Sequence, residues 1–319
     1  GEGQPAVPYT GLAGVRAATS ASTRPPISAA ASRRPASGDV GPSVQPSASR
    51  SVPPNGSNTW PVTWRDCSLA SQATSGGTMA QHVEKIDQLA ADPADPKARY
   101  VSGKTLRDEL TSEKWDVVTI QQASIKSHDP TTYRPYAARL RDYVKEHCPS
   151  ATLWLHQTWA YRRDDPRWRP AKPVAGDPTS EEDMYRQLTR AYETIAGELG
   201  VKLIPVGDAF WAADSDPTWG FQPDTTFDTK TAVEPALPRQ THSLHAGWSW
   251  KADAKGVKHL QYDGHHASTA GQYLGACVWY EVLFGGITNN TFVPKGLSAD
   301  DARYLRETAA KVVAARAKA

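Results

Sequence analysis

Cysteine is scarce in this chain of 319 residues: Cys67, Cys148 and Cys277 lie far apart, and no C-x-x-C pair occurs. That pattern encodes neither a disulfide framework nor a cysteine zinc site, and it leaves the redox compartment open. An excess of one charge is missing too. Lys and Arg number 36 against 34 Asp and Glu, for a formal net charge of +2. The cations are spread along the chain rather than gathered into a stripe, which argues against a nucleic-acid partner. No apolar run approaches the roughly 18 to 20 residues of a membrane span, so no span is expected, and no secretory signal is readable. Large apolar side chains are nearly absent from residues 1–59, where Leu12, Ile27, Tyr9 and five Val stand among Ala, Ser, Pro, Arg and Gly. Such a segment cannot offset its ordering entropy by burial and reads as a disordered secreted linker or tail. Lysine is also missing there, the first being Lys85, and the texture changes abruptly near Trp60. A GC-rich gene read in the wrong frame would look the same, and a frame error would remove or garble the first strand of the domain that follows.

Residues 60–319 read as one α/β domain, with short β-rich runs alternating with helical patterns. Strands are expected at 61–67, 115–120, 151–155 and 201–206, and helices at 78–91, 104–112, 136–147, 179–200, 268–284 and 298–317. The run at 115–120 ends in Gln121 and Gln122, and the run at 151–155 ends in His156, Gln157 and Thr158. Strands that finish in polar residues suggest an open parallel sheet whose ligands bind beyond its carboxyl ends. Residues 214–260 are rich in Pro, Asp, Thr and Trp without clear periodicity, and are expected to form a functional loop or lid.

The chemistry centres on Asp263-Gly264-His265-His266. An Asp three residues before a His, just ahead of a helix, lets the carboxylate reach the imidazole Nδ1 while Nε2 faces a nucleophile. The simpler possibility is that His266 only caps the helix. The segment from Tyr262 to Ala276 resembles the last characteristic block of SGNH (GDSL-like) hydrolases. Ser75-Gly76-Gly77-Thr78 resembles the block after the second strand, and 115–124 the third block, with Gln where many relatives carry Asn. Leu155-His156-Gln157-Thr158-Trp159-Ala160-Tyr161 is similar to a bacterial branch of unknown function. The resemblance covers about residues 62–310. It implies a flavodoxin-like three-layer α/β/α fold with a central parallel sheet, and a serine-type acyl or acetyl esterase acting on carbohydrate or glycoconjugate, without a cofactor. Catalytic roles fall to His266 and Asp263. Oxyanion donors are expected from the Gly77 N–H and from Gln122 or Gln121, which period 2 would send to opposite faces. Substrate contacts are expected from His156, Trp159, Tyr161 and His265, the aromatic faces suiting a sugar. A secreted or periplasmic setting is also implied, while the oligomeric state is not readable.

One block of the pattern is missing. SGNH enzymes carry their serine in Gly-Asp-Ser or Gly-Asn-Ser after the first strand, and neither occurs upstream of Gly76; Asn55-Gly56-Ser57 has the wrong order. Two further readings therefore stand beside the esterase. One is a catalytically inactive, carbohydrate-binding relative. The other is a metal-dependent hydrolase built on His242, His245, His259, His265 and His266 with Asp263.

Overall fold

The structure, a computed structural model, describes residues 12–17, 67–72 and 77–318. The elements below, Ala17 and Cys67 excepted, fall in one folded unit. The expectations for residues 1–11 and 18–59, and for a strand at 61–66, lie outside the described residues.

The main sheet has five strands, β1 (Leu12–Ala17), β2 (Cys67–Gln72), β3 (Val117–Ile120), β4 (Thr152–His156) and β5 (Lys202–Ile204), in the order β2-β1-β3-β4-β5. β3, β4 and β5 are parallel, with Val118 beside Leu153 and Leu155 beside Leu203. β1 runs antiparallel to β3, with Val15 opposite Val117. Alternation along β3 and β4 explains the two covered faces. Val118, Ile120, Leu153 and Leu155 face one core, together with Met79 and Val83 of α1 (Met79–Ala91), Leu140 and Val144 of α3 (Tyr136–His147), and Leu188 and Tyr192 of α4 (Glu181–Leu199). The short α2 (Leu106–Leu110) joins the same cluster. Fully burying each such side chain is worth about 1.5–3 kcal/mol. The intervening residue His156 points the other way, its ring 5.5 Å from Trp279 of α6 (Thr269–Phe284). α6 therefore covers the opposite face, packed beside α5 (Val206–Asp214) and α7 (Ala299–Arg316). The result is the three-layer α/β/α arrangement expected from the sequence.

The helices start where their caps predict. Thr78 and Gln81 form a reciprocal capping box at α1, Ser180 caps α4, and Gly200 closes α4 in the left-handed conformation at φ 65°. Two expectations need correction. The strand expected at 201–206 stops at Ile204, because Val206, Ala209, Phe210 and Ala213 share a buried helical face and begin α5. Residues 214–260 are not structureless throughout. They include β6 (His245–Ala252), which pairs antiparallel with β7 (Lys258–Ala267) in a separate two-stranded sheet. Trp248 faces Tyr262 and Trp250 faces Leu260 across this ribbon.

Candidate active site

Asp263 and His266 sit on a bulge in β7, not in a free loop ahead of α6. Gly247 pairs with Asp263, and His245 pairs with Ala267. Over that interval β6 advances two residues while β7 advances four, so Gly264, His265 and His266 arch out of the ladder. Their backbone groups find other partners. The Gly264 carbonyl accepts from Arg162 N at 2.8 Å, and the His265 carbonyl accepts from Trp159 Nε1 at 2.9 Å. The N–H groups of His265 and His266 donate to Asp263 Oδ1 at 3.2 and 3.0 Å. The bulge is thus fixed by the segment after β4 on one side and by its own carboxylate on the other. The crest is crowded, since a Cβ on Gly264 would lie 2.5 Å from Asp165 Oδ2 and from the Tyr262 hydroxyl, and a larger residue there would displace those side chains.

The fold of the bulge orients the imidazole. His266 Nδ1 donates to Asp263 Oδ2 at 2.8 Å, which leaves Nε2 as the basic atom, and the His266 side chain is 67% exposed. Burial alone would raise the Asp263 pKa. The His266 N–H and ring, the nearby His265 and its N–H outweigh it and hold the carboxyl down at about 2. The acid is therefore an anion wherever the base works. His265 lies alongside, Nδ1 3.1 Å from Asp263 Oδ1 and accepting from Arg167 Nη2 at 3.2 Å. Burial, then the neighbouring His266 and Arg167, lower its pKa against the pull of Asp263.

Arg167 is held in turn by the buried Asp165, Nη2 to Oδ2 at 2.7 Å, and lies 3.8 Å from the centre of the Tyr161 ring. The Tyr161 hydroxyl meets Ser124 Oγ at 3.1 Å, and its ring is 5.8 Å from His265. Ser124 follows Gln122 by two residues, so this run of contacts puts the carboxyl end of β3 on the same side as Asp263 and His266.

The two glutamines do go to opposite faces, but neither is a free amide. Gln122 Oε1 accepts from Met79 N at 3.1 Å and Ala123 N at 3.0 Å, while Nε2 donates to the Thr132 carbonyl at 2.9 Å. Nε2 also lies 3.3 Å from Thr132 Oγ1, so the whole amide is engaged within the fold and takes a positioning task. It ties the start of α1, two residues after the buried Gly77, to the end of β3. Gln121 Oε1 bonds His156 Nδ1 on the α6 side. His156 is fully buried, and burial pushes its pKa down to about 4. Trp159 is stacked on Phe210 at 4.6 Å and spends its N–H on the bulge. Both side chains are buried. Of the residues expected to touch substrate, the structure brings His265 and Tyr161 to Asp263 and His266.

The five-histidine cluster also dissolves. His242 bonds Asp301, His245 Nε2 meets the Ala160 carbonyl at 2.9 Å, and His259 meets Asp253. Among the described residues, Asp263, His265 and His266 alone form a group whose potential ligand atoms lie within 4.8 Å of one another. Sequence reading finds Arg162 and Arg167 only as polar donors after the strand end and misses the bulge, the part Arg162 plays beside it and the Asp165–Arg167 pair; the one available hint to the bulge was the glycine between Asp263 and His265.

No known protein family matches the sequence, and no curated protein does. Solved structures do. A DUF4886 family protein from Bacteroides uniformis ATCC 8492 is 21% identical, with 76% of this chain and 82% of that one covered, at a TM-score of 0.55. This chain has the same fold. A candidate SGNH hydrolase from Slackia heliotrinireducens (22% identical, 66% and 80% covered, TM-score 0.37) also aligns, too loosely to argue from. So does phospholipase A1 from Streptomyces albidoflavus NA297 (14% identical, 63% and 73% covered, TM-score 0.29).

Proposed function

We propose that this protein is a serine-type ester hydrolase of the SGNH kind, acting on short acyl esters of hydrophilic alcohols, with acetylated carbohydrate as the leading substrate class. The observation that supports it most is the Asp263–His266 pair at 2.8 Å, fixed on a bulge at the carboxyl end of a parallel sheet. In this reading His266 Nε2 takes the proton of a seryl hydroxyl as its oxygen attacks the ester carbonyl. The Gly77 N–H stabilises the oxyanion, and the same proton passes to the departing alkoxide. Water then repeats the sequence on the acyl-serine, releasing the acid. The polar, open surroundings of His266, with Arg167 and His265 beside it, suit a hydrophilic ester better than a long lipid chain. Among the described residues no hydroxyl bonds to His266, and the serine of this reading is left for labelling to identify.

Protein produced from its own locus, with native upstream DNA, is expected to be labelled by a fluorophosphonate on one serine. His266→Ala should abolish turnover of p-nitrophenyl acetate. No label on any serine would leave the inactive relative in its place. Turnover that EDTA removes, again without label, would turn the assignment to a metal centre at Asp263, His265 and His266.

A further inference from the structure

A cavity of about 380 Å³ opens between the start of β6, the first turn of α6 and the first turn of α7. That is the lower end of the size range of small-molecule pockets, roughly 300–1,000 Å³. On one wall His242 Nδ1 bonds Asp301 Oδ1 at 2.9 Å, in an arrangement that parallels His266 and Asp263. Trp219 and Tyr304 stack at 4.9 Å on another, with Trp219 5.0 Å from the His242 ring. Leu244 and Leu305 supply apolar surface.

His242 has a backbone φ of 61°, and among the described residues it is the one non-glycine at positive φ. A non-glycine residue in that region costs about 1 kcal/mol or more, a cost that packing does not require at a half-buried position. The conformation turns the ring to Asp301, which engages Nδ1 and leaves Nε2 for a ligand. No Lys or Arg lines the cavity, so an anion would find no side-chain counterion.

We infer that this cavity binds a neutral, hydroxyl-rich ring of monosaccharide size, with His242 Nε2 bonding a hydroxyl and the aromatic pair covering ring C–H groups. Ser268, which lines the cavity, follows His266 by two residues, a span of at most about 7 Å. The site is therefore placed to hold the sugar next to the one that carries the ester. That role rests on the ester-hydrolase reading; the binding itself does not.

Calorimetry and saturation-transfer NMR on the full chain would use methyl β-D-glucopyranoside, methyl β-D-galactopyranoside and N-acetylglucosamine, with acetate and inorganic phosphate as anionic arms. At least one sugar should bind at millimolar concentration. His242→Gly should weaken it about tenfold or more with an unchanged or higher Tm, since glycine takes positive φ freely. The inference falls if no sugar binds, if His242→Gly binds as tightly as the wild type, or if only the anions bind at the amino end of α6. Binding is read without turnover, so a protein that binds sugar yet lacks esterase activity would sink only the ester-hydrolase reading.

Discussion

At the scale of single residues, Asp263 carries two loads. One oxygen receives the N–H groups of His265 and His266 and shapes the bulge, while the other fixes the His266 tautomer. Asp263→Asn should cut turnover on the order of 10⁴-fold, the scale seen when a triad loses its anion. The pH profile follows from the depressed pKa. Asp263 contributes stability above its unfolded pKa of about 3.9, and that contribution is lost as pH falls toward about 2. The kcat/KM profile should therefore show no ionisation of Asp263 above pH ~4. An acid limb that Asp263→Asn removes, measured above that pH on p-nitrophenyl acetate, would show that the carboxyl is not held down.

At the scale of elements, the β6–β7 ribbon depends on Arg162. Its guanidinium holds Asp164 through two bonds, at 2.7 and 2.9 Å, and reaches Gln240 Oε1 at 2.9 Å. It also lies 4.3 Å from the Phe221 ring centre, and Asp164 accepts the Tyr262 hydroxyl at 2.6 Å. Arg162→Leu should cost about 3–5 kcal/mol, because it leaves Asp164 without its cation; urea unfolding would measure it, and a loss under 1 kcal/mol would show the ribbon is held by its packing alone. The ribbon was also the least legible part of the sequence. α1, α4, α6 and α7 announce themselves through Thr78, Ser180, Gly200, Ser268 and Ser298, each a local capping event. Trp248 and Trp250 instead carry meaning only opposite Tyr262 and Leu260, partners that lie 10 or more residues away. A bulge breaks period 2 where Asp263 and His266 sit, so the Asp263-to-His266 spacing was readable while its support from Arg162 and Trp159 was not. The bonding of Gln122 was unreadable for a related reason, since its partners Met79 and Thr132 come from other parts of the chain.

At the scale of the whole molecule, the layers are joined by a buried acidic pair. Glu181 opens α4, Asp214 ends α5, and Arg163 donates to Glu181 Oε2 at 3.1 Å and to the Asp214 carbonyl at 2.6 Å. Burial first, and then the Glu181 charge, push the Asp214 pKa well up, and Glu181 is raised chiefly by burial. Raised carboxyls favour the folded state below the unfolded pKa of about 4, and this contribution is lost as pH rises through the folded values. The pair's own contribution should therefore decline above pH ~4, against the gain from the buried His82, His156 and His245, whose pKa values burial lowers to about 4, and Asp214→Asn should gain stability relative to the wild type as pH rises in a series of urea melts. A difference between the two proteins that does not change with pH would show that Arg163 fully compensates the pair.

The direction of β1 has a consequence for where chemistry can enter. Because β1 opposes β3, the chain leaves it at the end where β3, β4 and β5 begin, about 13 Å of strand away from their carboxyl ends. Asp263 and His266, by contrast, share the side of the carboxyl end of β3, through Ser124, Tyr161 and His265. A nucleophile turn in the SGNH manner needs a strand that climbs. The fluorophosphonate adduct should accordingly map to a peptide that follows a strand parallel to β3, and an adduct directly after β1 would overturn that expectation.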